Sequence, residues 1–483
     1  MPISSPGIGS SLDVNGIVRQ LMAIEQRPLN ALRTRESGYN AQVSAYGTLK
    51  SALAGLQTVS QSLSTADKWH IATASVADAS VLTASAGTQA VPGSYLVEVT
   101  QLAQQQKINS PGFSSTADLI GSGTLTIQFG TYDSGTNSFS PNAAKPAQTV
   151  TINPSDNTLA GVRNAINAAN VGITATIIND GTTNRIVVTS NDSGLANSLK
   201  ITVADADGNN TDTAGLSQLA FDPTAAAGSG KNLTQLSAAQ NAQLKIDGIA
   251  VTKASNTISD AIEGVTLNLL TTNAGTTAAL IVQHDSAGIK SSVAAFVKSY
   301  NDLNKSLHDL TAYNATTKQG AVLQGDSTTR LIQSRLRTTL TTAISVPSGG
   351  IATLSQIGLS FQNDGSLAVD DAKLQNAINN NFTGMVGIFA GSGGYANTVD
   401  KLVGGFLGTD GAITSRTDGI NASIKDLGVR EDALTRRLAS IEARYRAQFT
   451  ALDTMISGMT ATSNFLTQQL ANLPKINGVS NNN

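Results

Sequence analysis

The chain has 483 residues, which suits about three or four domains rather than one. Its net charge of −2 supplies no concentrated basic face, which argues against nucleic acid as the main partner. The absence of cysteine excludes a disulfide framework, a thiolate nucleophile, a zinc finger and an iron–sulfur cluster.

Only 13% of residues are charged, against roughly 25% in ordinary soluble proteins, and Ser, Thr, Asn, Gln, Ala and Gly take the vacant places. Such a surface suits a subunit that packs against copies of itself. The polar start, Met1 to Leu12, lacks the basic and apolar blocks of a cleaved secretory signal. No run approaches the roughly 18 apolar residues of a membrane span, so membrane insertion is not expected. By these rules the protein is cytosolic, or it leaves by a route that uses no cleaved signal.

In chain order, Asp13 is placed to cap a first helix carrying Ile17, Leu21 and Ile24. Pro28 ends it and fits the first turn of a second, with Tyr39, Val43, Tyr46, Leu49, Leu53, Leu56 and Leu63 on one stripe. From about residue 70 to 286 the period changes to that of strands, as in Tyr95–Val99, Arg185–Thr189 and Val265–Leu269. One short helix (Leu159, Val162, Ile166) interrupts this region. Eight basic and fifteen acidic side chains between 71 and 286 leave it at −7. Helical spacing returns at Ile289, Val293, Phe296, Tyr300, Leu303, Leu307 and Leu310, in alternating steps of four and three. Asn363-Asp364-Gly365 marks a hairpin. A last long helix carries Leu427, Leu434, Leu438, Ile441, Tyr445, Phe449, Leu452, Ile456 and Met459 and is expected to reach Leu473, with Gly428 and Gly458 as points where it could break.

The expected fold class is therefore multidomain α+β: a helical, coiled-coil-like bundle built from both ends of the chain, with a central β-rich two-domain head inserted. The expected domains are a flexible N-terminal segment with a short helix (1–40), a helical leg (41–69 plus 286–450), an inner β head (70–108 plus 233–285), an outer β head (109–232) and a flexible C-terminal helical segment (451–483). The terminal helices are short or interrupted by glycine and sit at chain ends, so they are read as contacts outside the monomer. The residues assigned to oligomer or partner contact are Leu12, Val14, Ile17, Leu21, Phe465, Leu466 and Leu470.

A search for chemistry finds little. His70, His284 and His308 match no metal-ligand spacing. Gly228-Ser229-Gly230-Lys231 has Ala225 where a phosphate loop needs glycine. Asp205, Asp207 and Asn209 imitate a calcium loop, but its twelfth position is Leu216. Asp370-Asp371 reads as a helix cap, and no G-x-S-x-G occurs. No enzyme activity, metal or cofactor is expected.

Several segments together resemble a known family. Gly7-Ile8-Gly9-Ser10-Ser11-Leu12-Asp13-Val14-Asn15-Gly16-Ile17-Val18, then Leu21-Met22 and Pro28-Leu29, is similar to the opening of the flagellar hook-associated protein 2 family, the filament cap. Gly93-Ser94-Tyr95-Leu96-Val97-Glu98-Val99 resembles that family's strand before the outer head. Thr158–Asn167 with Gly172-Ile173-Thr174-Ala175 resembles the small inserted repeat of flagellins and hook proteins. Ile357-Gly358-Leu359, Asp364-Gly365-Ser366-Leu367 and Asp371-Ala372-Lys373-Leu374 resemble its hairpin-to-helix passage.

The resemblance implies a ring-like homo-oligomer, a pentamer or hexamer, at the distal end of the flagellar filament. There it would retain exported flagellin and promote its folding and polymerisation. It also implies contact with hook–filament junction proteins, a flagellar export chaperone, type III export and an extracellular location. A secondary adhesive role is a further expectation, and a fibre-tip adhesin or phage-tail-like structural protein is the alternative reading.

Overall fold

The computed structural model describes residues 13–346 and 350–472. Helices occupy both ends of the chain and strands the centre, the arrangement expected from the change of period. The chain separates into two compact units: residues up to 66 with those from 289 onward, and residues 67–288.

The first unit is helical. Asp13 accepts from the Gly16 backbone N–H at 2.8 Å and starts α1 (Val14–Glu25). Pro28 lies in the first turn of α2 (Arg27–Ser64), where its missing N–H costs no intrahelical bond. Within α2, Tyr46, Leu49, Leu53 and Leu56 are buried. Fully burying each leucine contributes about 1.5–3 kcal/mol. The 3.6-residue period that places them on one face directs that face against two helices from the far end of the chain.

Residues 159–169 form α3 in the other unit, and the helical unit resumes with α4 (Ser286–Thr311). The alternating steps on α4 produce a continuous buried row, Ile289, Val293, Phe296, Tyr300, Leu303 and Leu307. Five more helices follow: α5 (Ser327–Thr341), α6 (Asp371–Asn380), α7 (Phe382–Ala390), α8 (Tyr395–Leu407) and α9 (Ala412–Ala471). Phe296 of α4 meets Phe389 of α7 edge to face at 5.9 Å.

The Asn-Asp-Gly signal gives a hairpin of Leu359–Phe361 and Leu367–Val369. Gly365 supplies the positive φ its turn requires. Asn301 of α4 holds the hairpin from the side: its amide donates to the Leu367 carbonyl and accepts from the Leu367 N–H. Asp370 caps α6 by accepting from the N–H groups of Ala372 and Lys373.

Helix α9 is 60 residues long, about 90 Å. It starts at Ala412, fifteen residues before the apolar stripe expected from Leu427. The early part buries only Ile413, Ile420 and Leu427, each seven residues from the next, too sparse for an apolar-stripe reading. The helix runs through Gly428 and Gly458 without a break.

The second unit is β-rich. A five-stranded sheet has the order Ala72–Val76, Ala278–His284, Gly93–Gln101, Ala242–Ile246, Ile249–Lys253. A three-stranded sheet of Thr257–Ile262, Val265–Leu269 and Leu82–Ala86 lies with it over one apolar cluster. Strict alternation explains the cluster: Ala242, Leu244 and Ile246 point inward while Gln243 and Lys245 are exposed. Residues 108–233 form a separate cluster around α3, whose Leu159, Val162 and Ile166 are buried. Asn170 ends α3 in the left-handed conformation common at helix C-termini. The Gln106 side chain, buried and hydrogen-bonded to Gln235 and to the Leu199 backbone N–H, ties strands of this region together.

Candidate functional site

The terminal helices α1 and α9 form the site that the sequence reading singled out. On α1 the residues facing α9 are Val14, Val18 and Met22, not the expected stripe of Ile17, Leu21 and Ile24. Helix α1 carries apolar residues on adjoining faces, and its packing against α9 selects the 14–18–22 row. Ile17 and Leu21 are half-buried and Ile24 is 57% exposed. Opposite them lie Leu438 and Ile441, flanked by Leu434, Tyr445 and Phe449.

Polar contacts fix this pairing at its rim. The Tyr445 hydroxyl donates to a Glu25 carboxylate oxygen at 3.3 Å. The Arg446 guanidinium donates to Asn15 Oδ1 at 2.9 Å and to Glu442 Oε1 at 2.8 and 3.0 Å. Arg33 of α2 approaches Glu431 at 3.5 Å. The Arg446–Glu442 pair lies within α9 and adds little stability, whereas the Tyr445–Glu25, Arg446–Asn15 and Arg33–Glu431 contacts link α9 to α1 and α2.

Past Phe449 most large apolar residues of α9 are exposed, namely Leu452, Met455, Met459, Phe465, Leu466 and Leu470, while Ile456 stays half-buried. Of the seven residues assigned to contact, Val14 packs inside the α1–α9 core, Ile17 and Leu21 lie at its edge, and Phe465, Leu466 and Leu470 form an open surface. Leu12 lies outside the described residues, as do residues 473–483 and the expected helix end at Leu473. The contact assignment omitted Val18, Met22, Leu452, Met455 and Met459. A signal for two of them was present: Leu452 and Met459 continue, with Ile456, the stripe that runs through Tyr445 and Phe449.

Elsewhere in the helical unit α2, α5 and α9 meet at Tyr46, Asp326 and Arg416. Asp326 caps α5, accepting from the Thr329 N–H, and pairs with Arg416 at 3.3 Å. Burial, with Asp326 beside it, pushes the Tyr46 hydroxyl up to about 12. On α2, Gln57 and Gln61 both donate to one oxygen of Asp400 on α8, at 3.0 and 2.9 Å. These are inter-helix ties within a folded bundle.

Asp205, Asp207 and Lys231 each hold a local structural hydrogen bond. Asp205 accepts from the Ser217 N–H at 2.8 Å and Asp207 from the Asn209 N–H at 2.9 Å, which closes the Asp205–Asn209 stretch as a polar turn. Lys231 donates to the Pro223 carbonyl in an irregular stretch without a helix behind it. Burial, and then the charge of His70, holds the His284 imidazole below its ordinary value. A cavity of about 520 Å³ is lined by residues such as Ile344, Ile351, Asn381 and Thr383 with several glycines, and among the described residues its lining holds no carboxylate, imidazole or amine. Among the described residues no cluster of three His, Cys, Asp or Glu could hold a metal, and no helix is long and apolar enough to cross a membrane.

Comparison with known proteins gives a consistent result. The family model described as flagellar hook-associated protein 2 N-terminus matches residues 10–106, and that described as flagellar hook-associated protein 2 C-terminus matches residues 239–461. The flagellar hook-associated protein 2 of Escherichia coli K12 is 35% identical, the alignment covering 97% of this chain and 98% of the relative. The B-type flagellar hook-associated protein 2 of Pseudomonas aeruginosa is 32% identical, with the same two coverages, 97% and 98%. Among solved structures, the D1-D2-D3 domains of the flagellar cap protein FliD from Escherichia coli match with a TM-score of 0.61 and 34% identity, over 78% of this chain and 99% of that one.

Proposed function

Because the chain belongs to the flagellar hook-associated protein 2 family, we propose that it caps the distal end of the bacterial flagellar filament. The family is a structural cap family and not an enzyme family. The observation that carries the reading is end-to-end similarity to proteins of one flagellar role, through both the helical ends and the β centre. The adhesin and phage-tail readings receive no support from these relatives.

In this reading the chain works as an oligomeric cap on the filament, without catalysis. Its finer features are a ring of five or six copies, export through the flagellar type III route with a chaperone, and an extracellular position at the tip. There it meets hook–filament junction proteins early and flagellin throughout growth. The open α9 surface at Phe465, Leu466 and Leu470 supports a contact role for the C-terminal helix. Two separate apolar clusters support dividing the β-rich unit into an inner domain (70–108 plus 233–285) and an outer one (109–232).

Immunogold labelling of the native chain on isolated filaments tests the proposal. Label confined to distal ends is expected. Label along the shaft, or only on the cell surface, would overturn it.

A further inference from the structure

We propose that the groove along one side of the α1–α9 pair receives an acidic amphipathic helix from a protein other than this chain. The proposal concerns an outside partner and does not rest on where the chain sits on the filament.

Helix α9 runs antiparallel to α1 and α2: Tyr46 lies beside Arg416, Arg33 beside Glu431 and Asn15 beside Arg446. The Arg33–Glu431 and Asn15–Arg446 contacts mark one side of this pairing. The 3.6-residue period then assigns the opposite side. From α1 it carries Ile17, Leu21 and Ile24, the row left outside the α1–α9 core; the first two are half-buried and Ile24 is exposed. From α9 it carries Arg430, Arg437 and Arg444, all exposed. Arg35 and Tyr39 of α2 extend the same side, lining a cavity of about 410 Å³ with Ser423, Asp426 and Arg430.

Beyond Asp426 this side carries charge of one sign. Asp426 is held by Arg430 at 2.8 Å. Arg437 and Arg444 have no ion pair among the described residues, and the Arg444 guanidinium lies 5.9 Å from the Tyr445 ring. Glu431 and Glu442 pair on the other side, with Arg33 and Arg446, and Asp432 faces away from α1.

Both rows repeat with the period of a helix. Ile17, Leu21 and Ile24 follow in steps of four and three, and the arginines are seven residues apart, about 10 Å per step. A helix laid in the groove meets both at once if it carries an apolar stripe with carboxylates seven residues apart on one flank. The guanidinium fork favours carboxylates as the acidic group. Among the described helices only α4 has two carboxylates seven apart, Asp302 and Asp309, and Lys298 and Lys305 already hold them at 2.6 Å. A second copy of the chain is therefore not the occupant.

The test uses the full-length chain and a labelled synthetic helical peptide of about three heptads, with a leucine stripe and glutamate at every seventh position of one flank. Fluorescence anisotropy is expected to show binding that is lost when the glutamates are glutamine. Arg437→Gln/Arg444→Gln is expected to weaken it about fivefold or more, and Ile24→Gln to weaken it as well. Arg19→Gln/Arg436→Gln removes the same charge from other faces and is expected to leave it within about twofold. No binding, equal binding of the glutamine peptide, or an equal loss in the Arg19/Arg436 variant would overturn the proposal. So would an Arg437/Arg444 variant that binds the peptide unchanged but sediments as a smaller oligomer, which would give the groove to a second copy.

Discussion

Tyr46 lies where α2, α5 and α9 meet, with Asp326 and Arg416 beside it. Its hydroxyl is held neutral mainly by burial and titrates near 12 instead of 10. An acid whose folded value is raised stabilises the fold fully below its unfolded value and loses that contribution as pH rises through the folded one. Urea unfolding of the full chain is therefore expected to show a stability loss between pH 10 and 12 that is smaller in Tyr46→Phe. An identical alkaline slope in both proteins would contradict the assignment. At this scale much was legible in the sequence: the Asp13 and Asp370 caps, Pro28 and the Asp364-Gly365 turn each depend on their nearest neighbours alone. The row of α1 that faces α9 was not legible, because Val14, Ile17, Val18, Leu21 and Met22 are all apolar. The choice among them is made by a helix more than 400 residues away, as the Tyr445–Glu25 bond records.

At the scale of elements, α9 is the unusual piece. Its two interior glycines read as break points, yet the helix passes through both. A Cβ at Gly428 or at Gly458 would meet nothing within 4 Å. Each Gly→Ala change should therefore recover about 0.5–1 kcal/mol of backbone entropy. Gly428→Ala, next to buried Leu427, is expected to raise the urea midpoint of the helical unit. Gly458→Ala, in the open stretch, is expected to leave that midpoint unchanged and to slow amide exchange over residues near 455–465. A fall in stability with Gly428→Ala would show that the position serves a bend or a close contact. The late start expected for this helix has the same root as its exposed end: α9 buries few residues per turn, so spacing alone reveals only its middle. The strand pairings were also beyond sequence reading, since Ala72 pairs with His284 across the whole β-rich unit. Period-two alternation identifies strands but not their neighbours.

For the whole molecule, the helix–strand–helix order followed from the change in hydrophobic period alone. Asp205 and Asp207 sit in a turn, Asp370 caps a helix and Lys231 donates to a backbone carbonyl. What the chain offers its surroundings is a low-charge surface and, toward the end of α9, exposed Phe465, Leu466 and Leu470, properties that suit an assembly subunit. The cap reading is tested most directly by deleting the gene in its host and following flagellin. The account expects hooks without filaments, with unpolymerised flagellin in the medium and filaments restored by the intact gene. Filaments of normal length and normal motility in the deletion strain would contradict it.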